Sequence, residues 1–177
     1  HVINLSLGSV APTKILETVA KLVTCRKPEP GSDPGYASDK KRCEGLGGAV
    51  VIAAAGNSAT DHVPEFPAAE NAHGLLSVGA SDASGARAEF SNYGKWVEVA
   101  APGDHITSSV PGGGFGTWSG TSMAAPLAAG TAALVRAAHP ALSAEDVTKR
   151  MKHRTMKLCD TKLKQIDALA AVIDEEA

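Results

Sequence analysis

Apolar residues are laid out along this chain in two rhythms, short unbroken runs and a spacing of three and four, and together they predict most of its elements. Val2 to Ser6 is a short run ended by Gly8 and predicts a strand. From Thr13 the residues Ile15, Leu16, Val19, Leu22 and Val23 recur at helical spacing, which predicts an amphipathic helix. Gly47-Gly48 leads into Ala49 to Ala55, an unbroken apolar run, and Leu75 to Ala80 is another. Runs without a polar face predict strands covered on both sides. Irregular surface from Glu89 leads to a predicted strand at Trp96 to Ala100. Ile106 to Val110 and Phe115 to Ser119 flank Pro111-Gly112-Gly113-Gly114 and predict a hairpin. The stretch after Ser122 predicts a helix that ends at His139-Pro140, because the residue before a proline is turned away from helical geometry. Ser143, with Asp146 three residues on, is a near capping box that opens a helix reaching about Met151. The last helical stretch is predicted at Ile166 to Ile173, and no internal repeat is present. Strand, helix, strand, strand with buried runs predicts an α/β fold on a mainly parallel sheet.

Bulk properties narrow the classes. The chain has 177 residues, 44% of them hydrophobic and 20% charged, which is one globular domain with enough length for a sizeable core. Aromatic residues supply 4%, so the core must rest on close-packed small side chains. A formal net charge of -2 gives no reason to expect a nucleic-acid partner. No apolar run is long enough to span a membrane, since Pro126 to Val135 is about half a span. Seven basic residues and one acid lie between Lys149 and Lys164, read as a solvated helix face because nothing aromatic interleaves with them. The chain opens at His1-Val2-Ile3-Asn4-Leu5-Ser6-Leu7-Gly8, inside what reads as a core strand, with neither initiator Met nor signal peptide. We therefore expect the later part of a longer protein.

Cys25 and Cys43 bracket a polar segment rich in Pro, Gly, Asp and Lys, read as a surface insertion over residues 26–42. Two readings stand: a disulfide that closes the loop in an oxidising compartment, or two unpaired thiols flanking it. Cys159 reads as a packing residue, having no activating partner beside it.

The candidate chemistry lies in Ser119-Gly120-Thr121-Ser122-Met123-Ala124-Ala125-Pro126. A serine that opens an uncharged, Ala-rich helix has its hydroxyl at the positive end of that helix, as suits a nucleophile whose reaction develops negative charge. Upstream, Ala53-Ala54-Ala55-Gly56-Asn57 ends a buried strand on a residue able to present a side-chain amide. The Ser122 backbone N–H, lying in the first helical turn, and the Asn57 amide would form an oxyanion donor pair. Ser6, Leu7 and Gly8 could offer main-chain hydrogen bonds to an extended peptide. A base is what the chain lacks.

These segments resemble a known family. Gly120-Thr121-Ser122-Met123-Ala124-Ala125-Pro126, Ala53 to Asn57 with Ser58, Val2 to Gly8, and Phe90-Ser91-Asn92-Tyr93-Gly94 with Val97-Glu98-Val99-Ala100-Ala101-Pro102-Gly103 are similar, in order, to the C-terminal part of a subtilisin-like serine protease. The resemblance implies a three-layer α/β fold, with residues 1–177 the C-terminal portion of one catalytic domain whose N-terminal part is missing. It implies Ser122 as nucleophile and Asn57 as oxyanion-hole amide. Ser6, Leu7 and Gly8 match the substrate-binding strand, and Ala54, Ala55 and Gly56 the wall of the main specificity pocket. It also implies a polypeptide substrate and a secreted or extracellular setting.

The family's triad runs Asp, then His, then Ser along the chain, and its Asp and His motifs lie upstream of the segment at which this chain begins. His62, His73 and His105 precede Ser122 outside any matching context, and Asp104 and His105, being adjacent, are expected to point apart. Leu127 stands where the family usually has His, and Lys162-Leu163-Lys164 replaces the usual glycines before Gln165-Ile166-Asp167-Ala168. The leading expectation is a serine endopeptidase acting through an acyl-enzyme on Ser122, with Asp and His supplied by the missing segment as partner. The alternative is a catalytically silent fragment or peptide-binding module. A phosphate loop at Gly112-Gly113-Gly114 is set aside, because no Lys-Ser/Thr follows at the needed spacing. The small residues Ala54, Ala55, Gly56 and Ser58 suggest a preference for apolar residues before the scissile bond. No cofactor is required; family members often bind calcium, but Asp61, Glu65 and Asp82 lack ligand-like spacing and read as solvated loop acids. Apolar edges normally covered by the missing strands should make the chain poorly soluble or partly unfolded.

Overall fold

The computed structural model describes residues 1–12, 14–25, 47–70, 72–159 and 161–173. Five strands run parallel. β1 (Val2–Leu5), β2 (Val50–Ala54), β3 (Leu75–Ser81), β4 (Val99–Pro102) and β8 (Lys164–Ile166) lie side by side in that order, and β7 (Thr155–Lys157) closes the sheet antiparallel to β8. β5 (Ile106–Ser109) and β6 (Phe115–Trp118) form a separate antiparallel hairpin, as the glycine run predicts. Four helices complete the described chain: α1 (Lys14–Val23), α2 (Thr121–Ala138), α3 (Ala144–His153) and α4 (Ala168–Val172).

Alternation along β2 and β3 sorts the core into two faces. Val51 and Leu75 point to one side, where Ala20 and Val23 of α1 cover them with Ala72 and Leu5. Val50, Ile52, Ala54, Leu76 and Val78 point to the other, against Ala124, Ala125, Ala128, Ala132 and Val135 of α2 and Val147 and Met151 of α3. Burial on both sides is why these strands read as unbroken apolar runs. The α2 contact face is mostly alanine, so that helix can lie close against the sheet. The layers are helix, sheet, helix, and both the α/β class and the parallel sheet agree with the sequence.

Three predicted boundaries shift. β4 starts at Val99 rather than Trp96, because a turn closed by the Val97 N–H on the Gly94 carbonyl (2.9 Å) sends the Trp96 indole inward to donate to the Ala55 carbonyl (3.3 Å). The segment after Lys164 is strand before it is helix. Gln165 pairs with Ala100 and Met156, and the Asp167 carboxylate then accepts from the Ala170 N–H (3.0 Å), so α4 starts after Asp167. β7, three residues long, had no legible pattern. The Ser143 hydroxyl accepts from the Asp146 N–H (3.1 Å) and opens α3 as expected. Cys25, just past α1, is disulfide-bonded; Cys43 and the predicted insertion lie outside the described residues. Cys159 is exposed with a free thiol, so it is not a packing residue. Among the described residues, no helix is long and apolar enough to cross a membrane.

Candidate active site

Ser122 is the second residue of α2, partly exposed where the helix emerges beside the carboxyl ends of β1 and β2. In the first turn, the Met123 and Ala124 N–H groups both reach the Gly120 carbonyl (2.9 and 3.3 Å), and the Thr121 N–H goes to Asn57 Oδ1 (2.8 Å). Among the described residues the Ser122 N–H is thus left without an acceptor, as an N-terminal helical donor can be. On the other side of Ser122, its carbonyl accepts from the Ser6 hydroxyl (2.8 Å), which in turn accepts from the Asn4 amide (3.0 Å). This chain of bonds ties the segment after β1 to the turn that carries the serine.

Asn57 reaches the same place from β2. The strand ends at Ala54, and Gly56 turns the chain at a φ of 104°, a conformation that L side chains rarely adopt. Thr121 then fixes the amide. Its hydroxyl accepts from the Gly56 N–H (3.1 Å) and donates to Asn57 Oδ1 (3.0 Å), alongside its own N–H on that oxygen. With both Thr121 donors on Oδ1, the amide has one orientation that satisfies them, and Nδ2 faces outward as a donor. That NH2 group lies near Gly120, and Asn57 itself is exposed. Two N–H donors, one from each element, therefore flank the serine.

The two segments expected to hold a peptide border this corner. β1 and β2 stay in register to Leu5 and Ala53; beyond them Ser6, Leu7 and Gly8 are exposed, while Ala54, Ala55 and Gly56 are buried. Among the described residues Leu7 and Gly8 make no backbone–backbone hydrogen bond, so their main-chain groups are open to an added strand. Ser9 ends the opening through paired bonds with Phe66 (2.9 and 2.8 Å). These bonds hold the 61–67 loop against the segment after β1, and Glu65 with it. Glu65 is therefore not a solvated loop acid: Oε2 lies 2.8 Å from where a Cβ on Gly8 would stand, and Oε1 occupies the Cβ position of Gly56.

Four of the described histidines are engaged elsewhere. His62 pairs with Asp61 (2.9 Å), His73 with Glu145 (2.9 Å) and His105 with Asp104 (2.9 Å), while His139 meets the Val172 carbonyl (2.8 Å). The Asp104–His105 pair does form, contrary to expectation, because a φ of 53° at His105 folds the two side chains together. Ser119 and His105 both hold the Asp104 carboxyl below the usual range. No described histidine hydrogen-bonds the Ser122 hydroxyl. Asp82 caps its own turn through Ser84 and Ala86, and these bonds lower its pKa.

The subtilase family profile matches residues 1–169. The chain belongs to the subtilase family. It is 35% identical over 163 residues to Subtilisin BL and to Subtilisin Savinase of Lederbergia lenta, covering 92% of this chain and 52% of each relative. A thermophilic serine proteinase of a Bacillus species (strain AK1) is 41% identical over 135 residues, 76% of this chain and 28% of that protein. Among solved structures, a protease of Pseudoalteromonas arctica superposes with a TM-score of 0.75 at 29% identity, over 97% of this chain and 50% of the other. A cold-adapted subtilisin-like serine proteinase gives 0.66 at 30% identity, over 93% and 52%. The chain spans about half the length of the curated relatives it matches.

Within this subtilase chain, sequence reasoning placed Ser122 and Asn57 together but missed three residues that build the site. Thr121 lies inside the quoted motif yet was given no role. Asn92, fully buried, belongs to another quoted motif: its Oδ1 accepts from the Ser58 and Thr60 N–H groups (3.0 and 3.2 Å), and its amide donates to the Ala55 carbonyl (2.9 Å) and to Glu65 Oε1 (3.1 Å). Glu65 gave no local signal, since its position depends on a bridge between Ser9 and Phe66 that spans more than fifty residues.

Proposed function

We propose that this chain carries the nucleophile and the oxyanion donors of a serine endopeptidase. Ser122 Oγ attacks the carbonyl carbon of a peptide bond and gives its proton to a base. The oxyanion that forms is held by Asn57 Nδ2 and the Ser122 N–H. Collapse breaks the C–N bond, returns the proton to the leaving amine and leaves an acyl-enzyme, which water then hydrolyses. Ser6, Leu7 and Gly8 on one side and Ala54, Ala55 and Gly56 on the other hold the extended polypeptide. We assign the histidine base and its aspartate partner to residues outside this chain, belonging to the same catalytic domain. The single observation that carries the reading is the pair of hydrogen bonds that Thr121 donates to Asn57 Oδ1, which leaves Nδ2 as a donor beside the serine. The disulfide at Cys25 supports work in an oxidising, extracellular setting.

A second reading is favoured by the four histidines held away from Ser122, His62, His73, His105 and His139: alone, the chain binds peptides and does not cut them. One experiment separates the two. An unfolded protein substrate is incubated with the chain alone and with the chain joined to the segment encoded upstream of it, and new termini are mapped by mass spectrometry. Cleavage by the joined protein, lost in Ser122→Ala, supports the protease. Binding without cleavage in both forms supports the module.

A further inference from the structure

The carboxylate of Glu65 lies between the two segments that border Ser122, in the cleft they frame. Oε2 rests 2.8 Å from the Cβ position of Gly8, on one wall, and Oε1 against that of Gly56, on the other. Neither wall could carry a larger residue at these points without displacing it. The loop that brings it there is fastened on both sides, by the Ser9–Phe66 bonds and by Asn92, whose amide bonds the carboxylate.

What holds this carboxylate is neutral. Oε1 accepts from the Asn92 amide at 3.1 Å and from the Ser58 hydroxyl at 3.5 Å, and Oε2 has no hydrogen-bond partner among the described residues. None of the ion pairs among those residues includes Glu65. The other acids near the site are committed: Asp61 to His62, and Asp104 to His105 and Ser119. An acid placed in a cleft without a counter-charge is costly to cover with anything that cannot answer it.

We propose that Glu65 makes this cleft a pocket for a basic side chain, Lys or Arg, at the residue preceding the bond that Ser122 attacks. The inference rests on the proposed function above, and names its substrate class. A peptide laid along Ser6 to Gly8, with its carbonyl at the Asn57 and Ser122 donors, sends that side chain between the two walls toward Oε2. An ammonium or guanidinium there supplies the missing charge and a donor to the unbonded oxygen. A leucine there would cover the carboxylate and offer nothing in return. The apolar preference drawn from Ala54, Ala55, Gly56 and Ser58 is therefore replaced, because it treated Glu65 as solvated.

The test uses binding, so that it does not depend on a complete triad. Fluorescent product-type peptides ending in Arg, Lys or Leu are titrated against the chain, alone and joined to its upstream segment, at low and high salt. The Arg and Lys peptides should bind roughly thirtyfold or more tightly than the Leu peptide, as expected for one close charge pair. That margin should collapse in Glu65→Gln, which keeps an oxygen for Asn92 and Ser58, and should shrink at high salt in the unaltered chain. A Leu peptide bound equally or better, a basic preference untouched by Glu65→Gln and by salt, or no binding of any peptide overturns the inference. A fluorophosphonate label on Ser122 without basic preference sinks this inference and leaves the protease reading standing. Basic preference with a serine that never labels does the reverse.

Discussion

Around Glu145 charge is met by charge, whereas around Ser122 neutral groups leave donors and an acid unanswered. Lys149, one turn along α3, and His73 both lie on the Glu145 carboxylate (2.7 and 2.9 Å) and pull its pKa from 4.5 down to about 2. Nearby, Lys152 meets Glu98 (2.9 Å), and Arg150 donates to the Ala171 and Ile173 carbonyls at the end of α4 (2.5 and 2.7 Å). Lys149, Arg150 and Lys152 of the basic run are spent on the protein's own surface. At the start of α2 the polar groups instead hold one another through Thr121, Asn57, Asn92 and Ser6, and the Ser122 N–H, Asn57 Nδ2 and Glu65 Oε2 have no hydrogen-bond partner among the described residues. Satisfied charges mark a structural region; fixed but unanswered groups mark one that a ligand completes.

The contrast is broken most severely at Ser122. Ser122→Ala should abolish peptide hydrolysis by the protein carrying its full catalytic domain while leaving the thermal transition nearly in place, as the side chain is partly exposed and its carbonyl still accepts from Ser6. Asn57→Ala should lower kcat by about 10²–10³ with little change in KM, a figure that belongs to a subtilisin and is carried over by family likeness. Thr121→Val should lower kcat by a smaller factor, because it removes the hydroxyl that bonds Oδ1 and leaves the backbone N–H. A Thr121→Val protein with unchanged kcat would show that the amide needs no such hold.

The Glu145 cluster should respond on a smaller scale and through stability. Its carboxyl has a lower pKa folded than unfolded, so its contribution is complete above about pH 4.5 and is lost as pH falls through about 2. The pair is exposed, so Glu145→Gln should cost at most about 1 kcal/mol near neutral pH. Melting curves should show a drop of at most about 2–4 °C at pH 6, closing as pH approaches 2. A gap that stays constant with pH would mean that the ion pairs contribute nothing to it.

Legibility in the sequence followed the range of the interactions. β2, β3, α2 and the start of α3 were readable because unbroken runs, an Ala-rich helix and the Ser143–Asp146 cap are local patterns. Ser122 and Asn57 stood out through motifs. What stayed hidden depends on pairing across the chain: β8 is a strand because Gln165 meets Ala100, and Glu65 enters the cleft because Phe66 bonds Ser9. The Asp104–His105 contact rests on a left-handed residue that is not a glycine, which composition does not announce.

Whether Ser122 is a nucleophile set between two fixed donors is decided by fluorophosphonate labelling. The chain, alone and joined to the upstream segment proposed above, is treated with the reagent and the modified residue is located by mass spectrometry. Modification is expected at Ser122 in the joined protein, strongly slowed in Asn57→Ala. Labelling at another serine, or none in the joined and folded protein, would contradict it.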